Sequence, residues 1–116
     1  MKSKVAGLVL GAVISIGVMP SASAAEQWVE GYLMHVYPEA DGSFILTFQG
    51  TQPTACTNTA NPKYFEVKAG QYGVNADGVK AMLATALTAH ASGKVIQLAF
   101  DDSTSSCYVN RLRIVS

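Results

Sequence analysis

Past the first 25 residues, the spacing of apolar positions changes from two to nearly four and back again, and this predicts the elements. Gln27 to Tyr37, QWVEGYLMHVY, is rich in aromatic and branched residues and reads as a strand. Val29, Leu33 and Tyr37 share one side with Gly31 and His35, while Trp28, Glu30, Tyr32, Met34 and Val36 share the other. Pro38 to Gly42, PEADG, is a turn, since Pro stops a ladder and Asp-Gly supplies a positive-φ corner. SFILTFQG then sets Phe44, Leu46 and Phe48 inward against Ile45, Thr47 and Gln49 outward, completing a hairpin. After the polar loop Gly50 to Pro62, Lys63 to Lys68 (KYFEVK) gives a short third strand.

Asn75 to Gly93 is the only segment with convincing helical spacing. Asn75 is suited to cap its start, and Gly93 to end it in the left-handed conformation. Val79, Met82, Leu83, Ala86, Leu87 and His90 form the predicted core stripe. The opposite face holds Ala81, Ala84, Thr85, Thr88 and Ala91, with Asp77 and Lys80 its only charges. Beyond the helix, KVIQLAF and CYVNRLRIV are strands separated by the turn DDSTSS. The last strand places Tyr108, Leu112 and Ile114 on one face and Val109, Arg111 and Arg113 on the other.

The order is thus β-β-β-α-β-β, mainly β with one helix. A helix between the third and fourth of five strands is the order of the OB-fold, a small Greek-key barrel. An open α+β sheet with the helix on one face fits the same order.

Composition adds a compartment. Lys2 and Lys4 precede an apolar run from Val5 to Met19, which Pro20 and Ala22-Ser23-Ala24 follow, the pattern of a cleaved signal peptide. Residues 1–24 are therefore expected to be a signal peptide and residues 25–116 a single secreted or periplasmic domain, with no membrane anchor after cleavage. Without Lys2 and Lys4, six basic residues face eight acidic ones, a balance of −2 that disfavours a nucleic-acid partner. Cys56 and Cys107, an even pair in an exported chain, are expected to form one disulfide. The loop they close is long enough for a stabilisation of about 4 kcal/mol on chain entropy.

No motif names a reaction. His35 and His90 lack a nearby nucleophile or further ligands in the sequence, and Asp101-Asp102-Ser103 reads as a turn before a cation loop. The reading is a non-enzyme with no catalytic residue, cofactor or metal. Glu30 belongs in water unless paired, which sets Trp28, Tyr32 and Met34 outward together, an unusual surface. Trp28, Tyr32 and Glu30 are the candidate ligand-binding residues; a bulge at Gly31 would instead turn Trp28 or Tyr32 into the core. Ala81, Ala84 and Thr88 are the candidate assembly face, because small uncharged residues allow close approach of another copy. Alanine's helix propensity alone also accounts for them.

The signal, Trp28 on the first strand, Cys56, the helix from Asn75, the Gly93-Lys94-Val95 lead into the fourth strand and the Cys107 to Val115 ending together resemble the B subunits of one-A-five-B bacterial toxins, in particular subtilase-cytotoxin-like binding subunits. The resemblance is one of architecture across residues 25–116. It implies a homo-oligomer, a pentamer with helices lining a central pore, and a glycan ligand held on the barrel walls. A different class of function also fits: a periplasmic inhibitor or accessory protein that engages a protein through the Cys56 loop.

Overall fold

The chain divides its longest strand between two half-sheets, and that division gives the domain its shape. The computed structural model describes residues 26–50 and 52–115, so the expected signal peptide lies outside the described residues. Its elements are β1 (Glu26–Pro38), β2 (Phe44–Phe48), β3 (Tyr64–Val67), α1 (Ala76–Ser92), β4 (Val95–Asp101) and β5 (Val109–Val115). They form one sheet in the order β3-β2-β1-β4-β5 with every neighbour antiparallel. Residues 26–32 of β1 pair with β4, and Leu33 to Pro38 pair with β2. A single parallel bridge, Glu66 to Tyr108, brings β3 back to the chain leading into β5 and closes the curl. The result is the OB-fold-like barrel rather than the open sheet.

The changeover in β1 is a bulge. Leu33 lies opposite Phe48 and His35 opposite Thr47, leaving Met34 as the extra residue. Gly31 stays in register opposite Ile96, so the alternative of a bulge there does not hold, and the bulge lies three residues further on. The shift corrects the faces beyond it: Val36 packs against the core, and Tyr37, expected inside, is 48% exposed. A second irregularity, between Ala99/Arg111 and Phe100/Val109, leaves Asn110 unpaired. Val109, expected outward with the arginines, is therefore fully buried, while Leu112 and Ile114 pack on the core as expected.

Phe44, Phe48, Phe65 and Phe100 are the largest buried side chains. Phe65 makes edge-on contacts with Phe48 at 5.5 Å and Phe100 at 5.0 Å between centroids, an arrangement that suits the ring quadrupoles. Helix α1 packs against β1, β4 and β5. The Asn75 side chain accepts from the Gly78 amide at 2.8 Å, and Gly93 (φ 68°) ends the helix, as the sequence predicts. Its buried residues are Val79, Ala86 and Ala89, with Met82 and Leu83 partly covered. Leu87, at 45% exposure, and His90 are turned out of the predicted stripe, and Ala89 takes their place. The small Ala86 and Ala89 thus face the barrel where the spacing had set Leu87 and His90.

Candidate functional site

The expected alternation holds along the first half of β1, where β4 keeps it in register. The outer wall of β1, β4 and β5 is therefore built from rows: Trp28, Ala99 and Arg111; Glu30, Gln97 and Arg113; Tyr32, Val95 and Val115. Trp28 is 48% exposed and Tyr32 52%, and Glu30 between them is exposed as well. Four residues of strand separate the two rings by about 13 Å. The wall thus alternates ring, polar row, ring.

Ala99 points to this outer wall and yet has no exposed surface, because the larger neighbours of its row cover it. The Arg111 guanidinium lies 5.2 Å from the centroid of the Trp28 ring, within cation–π range. Arg111 Nη2 also donates to both carboxylate oxygens of Glu26, at 2.6 and 2.8 Å. Trp28 is thereby held between a small foundation and a fixed cation. Arg113 Nε donates to Gln97 Oε1 at 2.7 Å. A cavity of about 60 Å³ opens among Trp28, Gln97, Arg111, Leu112 and Arg113. Gln97, Arg111 and Arg113 are the members that sequence reasoning did not single out. Two arginines on one strand look like a solvated face until the register sets them beside Trp28.

The remaining candidates are dispersed. His35 Nδ1 stands 2.9 Å from Thr47 Oγ1, whereas His90 Nε2 stands 3.2 Å from the Met34 carbonyl oxygen. Asp101 accepts from the amide and hydroxyl of Ser103, each at 2.9 Å, which is a hydrogen-bonded Asx turn. Among the described residues, no three His, Cys, Asp or Glu side chains stand together as a ligand set for a metal.

Cys56 and Cys107 are joined, with 5.6 Å between their Cα atoms. Buried Asn58 reinforces the same junction, its Nδ2 donating to the carbonyls of Tyr64 at 3.0 Å and Ser105 at 3.1 Å. Lys63 Nζ donates to the carbonyls of Pro53 at 3.1 Å and Cys56 at 2.5 Å. Beside this pinned loop is an open depression of about 540 Å³ lined by Thr57, Asn58, Thr59, Ala60, Tyr64 and Ser105.

The candidate assembly face is open: Ala81, Ala84, Thr88 and Ala91 are exposed along α1. Thr85 Oγ1 donates to the Ala81 carbonyl at 3.1 Å and Thr88 Oγ1 to the Ala84 carbonyl at 2.8 Å. With both hydroxyls bonded within the helix, the face offers chiefly methyl groups to its surroundings. No helix among the described residues is long and apolar enough to cross a membrane.

No protein-family model matches this chain, and no curated protein sequence matches it. Among solved structures, the cholera toxin-like B-subunit from Citrobacter freundii is similar in fold, with a TM-score of 0.53. The two are 12% identical, over 83% of this chain and 88% of that one. The resemblance to toxin B subunits thus holds at the level of architecture.

Proposed function

We propose that this chain is an exported, non-enzymatic binding module that takes a cell-surface glycan on the outer wall of β1, β4 and β5. The observation that carries the reading is the ring–polar–ring order of Trp28, Glu30 and Tyr32. A sugar ring has an apolar C–H face and a rim of hydroxyls. Half-exposed aromatic rings supply flat contact for the first, and Glu30, Gln97 and Arg113 supply hydrogen bonds for the second. Residues 1–24 direct export in this reading and are removed, and the disulfide suits a secreted or periplasmic destination. The methyl-covered face of α1 at Ala81, Ala84 and Thr88 is where copies of the chain pack together, as expected of a toxin-B-like subunit.

A glycan array probed with wild type and Trp28→Ala tests the ligand class. Wild type should mark a restricted set of glycans, and Trp28→Ala should lose most of that signal. Equal signals, or none from either protein, argue against sugar binding.

The rigid pinning of the Cys56 loop favours a second reading, in which the chain inhibits or assists another periplasmic protein by inserting that loop. A loop held by Asn58, Lys63 and the disulfide loses little entropy on docking. Replacing the exposed Thr57, Thr59 and Ala60 by aspartate, with Asn58 kept, should then abolish the effect on the partner while leaving the far-UV spectrum intact.

A further inference from the structure

The barrel has a second outer wall, on β1, β2 and β3, with a different chemistry. The bulge at Met34 turns His35 and Tyr37 outward, and register builds two rows from them: His35, Thr47, Tyr64 and Tyr37, Ile45, Glu66. The second row continues to Tyr108 across the parallel bridge. The His35 imidazole is fixed by Thr47 Oγ1 at 2.9 Å and stacks on Tyr37, with centroids 5.2 Å apart and planes 24° apart. Glu66 sits half-buried between Ile45 and Tyr108, and no hydrogen bond from the described residues reaches its carboxylate. Burial raises its pKa, Glu39 and Asp41 raise it further, and Lys68 opposes them. Lys68 is itself paired with Asp41 at 3.6 Å. Glu39 and Asp41 thus bear on Glu66, and Lys68, the cation that opposes them there, is already engaged by Asp41.

A partly desolvated carboxylate with no donor is unfavourable, and a cation arriving beside it regains that loss. Tyrosine faces attract the same cation, and a charge-assisted bond in a half-buried place is stronger than one in water. Anionic partners are repelled. We propose that this wall receives an arginine or lysine side chain of a partner polypeptide, its head against Glu66 beside Tyr108 and its stem over Ile45 toward Tyr37. The site shares no residue with the Trp28 wall, so a glycan and a basic polypeptide can be held at once.

The test is a titration of the ¹⁵N-labelled protein with a tri-arginine peptide and, separately, with the matching citrulline peptide, which keeps the shape and lacks the charge. The arginine peptide should shift the amides of Ile45, Glu66 and Tyr108, and the citrulline peptide should not. Glu66→Gln should raise the arginine-peptide Kd at least tenfold, and Tyr37→Ala at least threefold. The helix variant Asp77→Asn, which removes a carboxylate outside both rows of this wall, should leave it unchanged. Equal binding of both peptides, shifts confined to other surfaces, or an unchanged Kd in Glu66→Gln overturns the proposal. The glycan-array pattern of Glu66→Gln should match wild type, so loss of one binding activity does not imply loss of the other.

Discussion

The Met34 carbonyl oxygen accepts a hydrogen bond at 3.2 Å from His90 Nε2, joining the bulge of β1 to the last turn of α1. A carbonyl can only accept, so the Nε2 atom of His90 carries the proton. Met34 is the residue that the bulge removes from the ladder with β2, and the helix supplies the partner that the strand does not. His90→Ala should destabilise the domain by about 1 kcal/mol, the typical net value of one such bond. Amide exchange at Leu33 to His35 should accelerate with it. If exchange there is unchanged in His90→Ala, the bulge is held by its strand neighbours alone.

Asn58 and the disulfide should act together. Asn58→Ala leaves the Tyr64 and Ser105 carbonyls without their side-chain donor, and should cost about 2 kcal/mol in urea unfolding. Replacing both cysteines by serine should cost up to about 4 kcal/mol. Asn58 Nδ2 lies 3.2 Å from Cys56 Sγ, so the combined variant should fall short of the sum. Strict additivity would show that the two fasten the loop independently.

Two carboxylates give the stability a predictable pH profile. Burial, then Glu39, holds the Glu66 pKa above its ordinary value. Between the unfolded and the raised folded value the native state binds more protons, so this group makes stability fall as pH rises. Glu66→Gln should remove that decline and be the more stable protein at pH 7. Asp41 has the opposite sign: the hydroxyl and then the amide of Ser43, with Lys68, lower its pKa. Its contribution is present above about pH 4 and is lost as pH falls through the lowered value. Thermal melts from pH 3 to pH 8 of wild type, Glu66→Gln and Asp41→Asn separate the two; parallel wild-type and Glu66→Gln curves would contradict the first assignment.

The helix face has a direct test. Ala84→Glu should leave the far-UV spectrum nearly unchanged, because the position is exposed on the subunit, and lower the melting temperature only by what assembly contributes. Light scattering of wild type should report an oligomer and that of Ala84→Glu smaller species. A wild type that stays monomeric at high concentration would remove the assembly proposal.

What the sequence made legible was whatever depended on neighbours along the chain. The caps at Asn75 and Gly93, the hairpin through Pro38 to Gly42 and the outward setting of Trp28, Glu30 and Tyr32 follow from local alternation and turn chemistry. Tyr37 and Val109 were misplaced because each lies beyond an irregularity that one extra residue creates. Nothing in the residue types at Met34 or Asn110 announces a bulge; it is the pairing partner that imposes it. The same holds for Arg111, whose role beside Trp28 exists only once β4 stands between β5 and β1. Leu87 shows the complementary limit, since helical spacing alone gave it the buried position that Ala89 occupies.

The junction of β3 with the start of β5 has one further consequence. Every other seam of the barrel is a run of antiparallel pairs, but this one is a single bridge, with Cys56–Cys107 and Asn58 beside it. The covalent bond therefore acts as a clasp on a curled sheet whose two halves are each complete without it. A chain kept reduced holds that line by Asn58 and the single Glu66–Tyr108 bridge alone. Oxidation is then a step of assembly: joining Cys56 to Cys107 fastens the wall that holds these two residues.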